Sequence, residues 1–451
     1  MLERLADGLW QPWLLGLFLL VGLWCTLRGG LFPLWGIGRW LRGSVGSLFE
    51  GKRQTNGGGL TQFQALSTAL ASTIGTGSIA GVATAIFFGG PGAVFWMWCS
   101  AVVGLGTSYV EKTLAVKYRQ PTKGGGWEGG PMAYLEGRLG WRRAAKWFSF
   151  WCVLASLSGG ALVQSNSISA AVASAFGAPR LAVGAATALC TGVVILGGIG
   201  RVGRVSETLV PVMAGLFLAT GTAVILAHRA AVLPALRLIV DCALSPRAAL
   251  GGAGGYAVST ALRYGVARGV FTNEAGIGSS AMAHAAADAQ SPAAEGFWGM
   301  LEVCLATLVI CTVTALCILT TGVYDPAAAL EAIRAGTVTG AMTGAPLTAA
   351  AFATLFGGGG PAIVAVCLFL FAFTSLLGWG YYGERGLSCL TGEEGLKGPF
   401  RLLFLTAIVL GSVGGVGQVW ALSDICNGLM ALPNLLALAV LAPEAWWELK
   451  K

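Results

Sequence analysis

The sequence predicts an all-α polytopic membrane protein of about eleven transmembrane helices, in which an inverted five-plus-five repeat follows one extra N-terminal helix. Three observations lead there. The chain is 55% hydrophobic and only 11% charged, with a mean hydropathy of +0.73, whereas soluble domains carry about 25% charged residues. Apolar runs long enough to cross a bilayer follow one another along the chain, separated by basic connections. Two of those runs are interrupted by glycines and polar residues, at STIGTGS (Ser72 to Ser78) and at RGVFTNEAGIGSSAMAH (Arg268 to His284). Helices broken at corresponding positions of two halves are the mark of inverted-repeat transporters, whose site lies where the breaks meet.

The rest of the composition fits. The 69 glycines and 16 prolines suit membrane helices, where small residues let backbones approach closely. The net charge of +8 comes from Lys and Arg between the apolar runs, so it points to topology rather than to nucleic acid. The 11 cysteines stand mostly singly in apolar runs and read as packing residues, not bridges or metal ligands. No cleavable leader is expected, because the first apolar run has no basic segment before it. No phosphate-binding loop, nucleophile elbow or zinc motif occurs, so no enzyme is expected.

In chain order, the predicted spans lie near Trp10–Leu27, Leu60–Phe88, Ala93–Val116, Phe148–Phe176, Leu181–Leu196, Thr208–Ala227, Ala253–Ala287, Phe297–Thr321, Pro361–Tyr382, Leu402–Val416 and Val419–Leu441. A basic connection holding Arg28, Arg39, Arg42, Lys52 and Arg53 follows the first, and the fourth is interrupted by Gln164 to Ser167. Residues 337–360 read as an external loop with a short helix. This divides the chain into an accessory helix and connection (1–59), a first repeat (60–230), an external loop (231–252), a second repeat (253–442) and a cytoplasmic tail (443–451). With the N-terminus outside and the C-terminus cytoplasmic, most Lys and Arg fall inside, as the positive-inside rule requires; the arginines between His228 and Arg247 run against it.

The breaks carry the chemistry. Gly75, Thr76, Gly77 and Ser78 would present N–H groups of the following half-helix, which favour an anion such as a carboxylate. Carbonyls just before the break suit a cation or an ammonium group, so two such breaks side by side suit a zwitterionic amino acid. Taken alone, the GxG could equally serve helix packing. At the second break Phe271 offers an aromatic wall, and Thr272, Asn273 and Glu274 offer polar groups. Glu274 either joins in ion coupling or pairs with Arg268 or Arg263 to hold unwound backbone, the second being favoured because buried carboxylates usually have partners. His284 invites proton chemistry, but a lone histidine at a helix end is more often structural. Gln164 and Asn166 lie two apart, so only one of them faces a given side. Thr374 and Ser375 are hard-oxygen donors of the kind sodium takes, unless they only bond their own helix. Glu111, Glu207 and Glu384 fall near span ends, as loop anchors or gates.

The motifs resemble those of the alanine or glycine:cation symporter family, which includes the sodium:alanine symporters within the amino acid–polyamine–organocation superfamily. The run GGPGAVFWMWCSAVVG (Gly89 to Gly104) is similar to that family's signature, with Cys99 where it prefers an aliphatic residue. GTGSIAGVATAI (Gly75 to Ile86), VSETLVPVMA (Val205 to Ala214), RGVFTNEAGIGSSAMAHAAA (Arg268 to Ala287) and FAFTSLLGWGYYGE (Phe371 to Glu384) follow in the family's order. The resemblance implies the leucine-transporter fold with an added first helix. It also implies sodium-coupled uptake of alanine or glycine through a bacterial or archaeal inner membrane, with no cofactor beyond sodium as coupling ion. The substrate contacts it implies are Thr76, Gly77, Ser78, Gln164, Phe271, Thr272, Asn273 and Trp379. Its implied sodium site combines Thr374 and Ser375 with backbone near Ala71 and Ile74. Two positions depart from the pattern: Ser78 stands where the family has Asn, and Ala306–Thr307 where it has Asp-Thr, which leaves selectivity and the coupling ion open. The expected partners are a small neutral amino acid, sodium and the lipid bilayer, with no nucleic acid and no obligate protein. A proton-coupled or uncoupled transporter of another small solute, or a transport-inactive nutrient sensor, are the alternatives.

Overall fold

The computed structural model describes residues 2–48, 59–122, 126–244, 258–392 and 395–451. Lys52, Arg53, Arg247 and the predicted start of the seventh span at Ala253 lie outside them. Helices lie within the described part of every predicted span. They are α1 (Pro12–Arg28), α2 (Gln62–Thr73), α3 (Val82–Gly89), α4 (Gly92–Lys117), α5 (Arg142–Phe176), α6 (Arg180–Ile195), α7 (Gly198–Ala227), α8 (Val232–Leu244), α9 (Val258–Asn273), α10 (Ala281–Ala285), α11 (Pro292–Thr320), α12 (Gly344–Phe356), α13 (Gly359–Thr391), α14 (Lys397–Val413) and α15 (Val416–Glu448). Among the described residues, α4, α5, α7, α11, α13 and all of α15 but its first two residues are long and apolar enough to cross a membrane, and α2 with residues 77–89 forms one more span, bent by 50°. The chain is a polytopic helical membrane protein.

Local chemistry sets the ends. Thr61 caps α2, its hydroxyl accepting from Gln64 N–H while the Gln64 side chain accepts from Thr61 N–H, which satisfies two otherwise orphaned donors. Ser291 caps α11 by its hydroxyl alone, which accepts from Ala294 N–H at 3.2 Å, with Pro292 at the first helical position. The outer helices turn leucines and valines outward, such as Leu181, Leu189 and Val193 on α6 and Leu402, Leu410 and Val413 on α14, the surface lipid calls for.

The core lies between α4 and the second broken helix. Gly265 and Gly269, four residues apart on α9, meet α4 so closely that a Cβ on Gly265 would strike Ala93 and Trp96, and one on Gly269 would strike Ser100. Gly296 and Gly299 of α11 lie the same way against Tyr109, Thr113 and Lys112. Small residues thus set helix separation here, as expected where lipid supplies no hydrophobic drive between helices. The mouths of the two broken helices are joined by backbone: Leu60 N–H donates to Ala286 O at 3.0 Å and Asp288 N–H to Leu60 O at 2.7 Å.

Two local expectations change, and a third, the short helix in 337–360, is met. The Gln164–Ser167 run does not interrupt α5; the irregularity is the wider-wound stretch Ser156–Val163, and helix resumes at Gln164. Part of the expected loop at 231–252 is helical: α8 buries Ala235, Ile239 and Ala243 at four-residue spacing, with Ala243 against Gly92. The helix in 337–360 spans thirteen residues and buries Thr348, whose hydroxyl donates to Ile79 O at 3.3 Å.

Candidate substrate and ion site

Both breaks leave helical geometry for identifiable reasons. At the first, α2 ends on Ile74 with ψ of 69°, and Gly75 and Thr76 carry the chain to a wide-wound turn, Gly77–Gly81, that leads into α3. At the second, Glu274 has φ of +52°, and Gly276 and Gly278 have φ of +87° and +97°. A side chain is disfavoured in that region, so the two glycines let the chain run unwound from Glu274 to Ser280 before α10.

A small cavity lies between the breaks, walled by Gly75 and Gly77 from the first, Phe271, Glu274 and Ile277 from the second, Gly159 and Gln164 of α5, Trp379 of α13 and Asn427 of α15. Its free space for the centre of a water-sized sphere is about 20 Å³, enough for a water but too tight for an amino acid without some opening. The Gln164 carboxamide oxygen accepts from Thr76 N–H at 3.5 Å, and its nitrogen donates to Gly159 O at 3.4 Å. Asn166 faces away, donating to Gly411 O and Gly414 O at 2.9 and 2.8 Å. Phe271 tilts against Trp420 at 5.9 Å, and the Arg268 guanidinium lies 5.7 and 5.5 Å from these two rings and 3.8 Å from Asp424.

Gly77, Gln164, Phe271 and Trp379 of the expected substrate contacts therefore line the cavity directly. Thr76 reaches it through the N–H on Gln164, and its buried hydroxyl has no partner. Thr272 turns its hydroxyl to Arg268 O at 2.7 Å, on its own helix. Asn273 caps the turn, accepting from Ala275 N–H at 3.0 Å, and its buried amide nitrogen is unpartnered. Ser78 points towards α11: its carbonyl accepts from Thr314 at 2.8 Å and its side chain lies beside Cys311.

The expected ion donors converge as well. Thr374 Oγ1 lies 3.5 Å from Ala71 O, and Ser375 Oγ lies 3.2 Å from Ser72 O. Thr374 also bonds Phe371 O at 3.0 Å. Ile74 is next to Gly75, where a Cβ would stand 3.2 Å from Ser375 Oγ. Two hydroxyls facing two carbonyls at the end of a broken helix form a hard-oxygen cluster suited to a sodium-sized cation. Ala306 is fully buried and its carbonyl takes Cys311 Sγ at 3.2 Å, while the neighbouring Thr307 hydroxyl is buried without a partner.

Several residues take other places than the sequence reading gave them. Glu274 does not pair with Arg268; its carboxylate accepts from Ser279, so it braces the unwound loop from inside. Glu111 is not at a rim. It is fully buried with Lys112, Glu302, His284 and Glu295 in one network. Lys112 Nζ lies 3.1 Å from Glu111 and 3.3 Å from Glu302, and His284 sits between Glu295 at 2.6 Å and Glu302 at 3.3 Å. Gln62 donates to Glu295 at 2.9 Å, which carries the network to the start of α2. Glu384 does anchor a neighbouring helix, through Nε and Nη2 of Arg401 at 2.6 and 3.0 Å, and Glu207 accepts from Gln64 at 2.9 Å. Ser72, Gly159, Ile277 and Asn427 also meet the site, although the sequence does not single them out. The sequence signals among them are Ser72, which opens the first break, and Asn427, which shares the last apolar span with one other amide, Asn434.

Against known proteins, residues 1–451 match the sodium:alanine symporter family. The chain is 40% identical over 393 residues to the sodium/alanine symporter AgcS of Methanococcus maripaludis, covering 86% of this chain and 83% of that one. It is 43% identical to an uncharacterized transporter of Haemophilus influenzae, over 88% of this chain and 84% of that one. A probable sodium/glutamine symporter, GlnT of Bacillus subtilis, is 36% identical over 89% of this chain and 80% of its own. Among solved structures, the Eremococcus coleocola manganese transporter superposes with a TM-score of 0.53 at 15% identity, covering 81% of this chain and 74% of that one. At that identity the likeness speaks for a shared leucine-transporter-like fold.

Proposed function

The chain belongs to the sodium:alanine symporter family, and from that premise we propose that it carries a small neutral amino acid, alanine or glycine, into the cell together with sodium. The observation that carries this reading is the cavity between two broken helices, with Gly75, Gly77, Gln164, Phe271 and Trp379 around it and a hydroxyl–carbonyl cluster beside it. The substrate carboxylate would meet the N–H groups at Thr76, Gly77 and Ser78, with Gln164 orienting the turn that presents them. Phe271 and Trp379 would close on the side chain, and so tight a space selects small ones. Thr272 and Asn273 would contribute on reorientation, since the buried Asn273 amide nitrogen is unpartnered. Sodium would bind Thr374, Ser375 and the carbonyls of Ala71 and Ile74, linking α13 to the first break so that the bundle rocks only when both ligands are in place.

The proposal includes the division at 59, 230, 252 and 442, an inner-membrane location, an outer N-terminus and a cytoplasmic C-terminus. It includes neither enzymatic activity nor an obligate protein partner. A second reading, coupling to protons, is favoured by Ala306 at a position where the family carries an acid.

The test is uptake of radiolabelled alanine and glycine into proteoliposomes under an imposed sodium gradient, then under a proton gradient. Accumulation driven by sodium alone supports the proposal. Accumulation driven only by protons transfers support to the second reading. Binding without flux under either gradient points to a nutrient sensor.

A further inference from the structure

The bend at Gly276 is held by side chains from outside its own helix, and none of them lines the cavity. The Gly276 N–H donates to Glu111 Oε2 at 3.0 Å, and its carbonyl accepts from Asn434 Nδ2 at 3.0 Å. Asn434 Nδ2 also donates to Glu111 Oε2 at 3.0 Å, and the Tyr134 hydroxyl donates to Asn434 Oδ1. Every polar atom of the Asn434 amide is thereby used, and both polar groups of one residue are fixed by two different helices, α4 and α15. All three side chains are buried. Glu111 keeps its other oxygen on Lys112, which supplies the compensating charge.

We propose that Asn434 and Tyr134, acting through Glu111, are positioning residues for the amino-acid site. The argument rests on what adjoins the clamped residue. Ile277, the next residue, is a cavity wall, and so is Glu274 two residues before. Asn434 lies seven residues, two helical turns, after Asn427 on α15, so the two share a face of that helix. Asn427 itself lines the cavity, with a buried and unpartnered oxygen. A displacement of α15 thus reaches the substrate walls twice, directly through Asn427 and through the clamp on Gly276. The sodium donors lie on the first break and α13, and the clamp touches neither. Loss of the clamp is therefore felt by amino-acid binding and not by sodium binding.

This inference rests on the transport reading, and the experiment separates the two. Sodium-driven alanine uptake is measured in the full-length protein, in Asn434→Ala and in Tyr134→Phe. The amino-acid KM is taken at saturating sodium, and the sodium half-saturation at saturating alanine. Asn434→Ala leaves the Gly276 carbonyl and part of Glu111 unsatisfied in the interior, and KM should rise about tenfold. Tyr134→Phe keeps the ring and removes only the hydroxyl, and KM should rise about threefold. The sodium half-saturation should stay within about twofold in both, which a general loss of packing would not spare. Should Asn434→Ala fail to fold, Tyr134→Phe decides. An unchanged KM in folded Tyr134→Phe, or KM and sodium half-saturation rising in parallel, overturns the assignment. Absence of sodium-driven uptake in the unsubstituted protein would instead remove the sodium-coupled reading itself.

Discussion

The two breaks reach the same cavity by different means. The first is built almost entirely from backbone and small neutral groups: Gly75, Thr76 and Gly77 turn the chain, and hydroxyls of Thr374 and Ser375 and the Gln164 amide face it. The second is held by charge, with Glu274 inside the loop, Glu111 on its glycine and Lys112, Glu302, His284 and Glu295 behind it. On the proposed reading, the difference matches what each break would do. A segment that binds and releases a cation is served by donors that exchange partners at little cost. A segment that stays unwound through the cycle needs partners for its exposed peptide groups, because in the interior an unsatisfied group costs several kcal/mol. Charged side chains make the strongest such partners, provided they are themselves compensated.

Breaking the charged side should have the largest effect. Lys112→Met leaves Glu111 and Glu302 facing each other without their shared cation, a loss of about 3–5 kcal/mol for a buried pair. Little monodisperse protein should survive in detergent, as read by fluorescence-detected size-exclusion chromatography; a full yield of stable variant would show that the network is not compensated through Lys112. On the substrate side the effect should be intermediate. Gln164→Ala removes the amide at Thr76 N–H, and alanine affinity should fall about tenfold. Thr272→Ala should weaken it less, because that hydroxyl is engaged with Arg268 O; unchanged affinity in both, measured by competition binding, would take them out of the pocket. The smallest effect belongs to the neutral side. Ser375→Ala should raise the sodium concentration for half-maximal uptake about threefold, the loss of one neutral hydroxyl ligand. A sodium curve that does not move would assign that hydroxyl to packing against Ser72 O.

The same contrast governs how much of the molecule is legible in its sequence. Both breaks are, because glycines and polar residues inside an apolar run are costly to a membrane helix unless an unwound segment uses them. Gly77 and Phe271 line the cavity from those breaks, Gln164 stands out as an amide in an apolar span, and Trp379 is placed by the family resemblance. The partners of the charges are not legible. Glu111 is adjacent to Lys112 in sequence but binds a glycine 165 positions away, and nothing in either local pattern announces such a pairing. Arg268 lies six residues from Glu274, yet it points to Asp424 on α15, since a residue's direction depends on a helix phase that the unwound loop resets. Glu384 is placed well because its partner, Arg401, lies across one short connection. The Gln164–Ser167 run reads as an interruption for want of any sequence mark for a wide-wound turn; the glycines at Gly159 and Gly160, where Ser423 and Trp379 pack closely, are the nearest to one.

The paired backbone bonds between Leu60 and residues Ala286 and Asp288 bear on how such a bundle can rock. They fasten the mouth of one broken helix to the mouth of the other, much as a single rung fixes the spacing of two rails. Parting the rails would strip donor and acceptor on both strands at once. Sliding them as one piece leaves the rung whole. The two broken helices are thus tied together at this end, and their separation can change by pivoting at the far end, where the described residues carry no such rung.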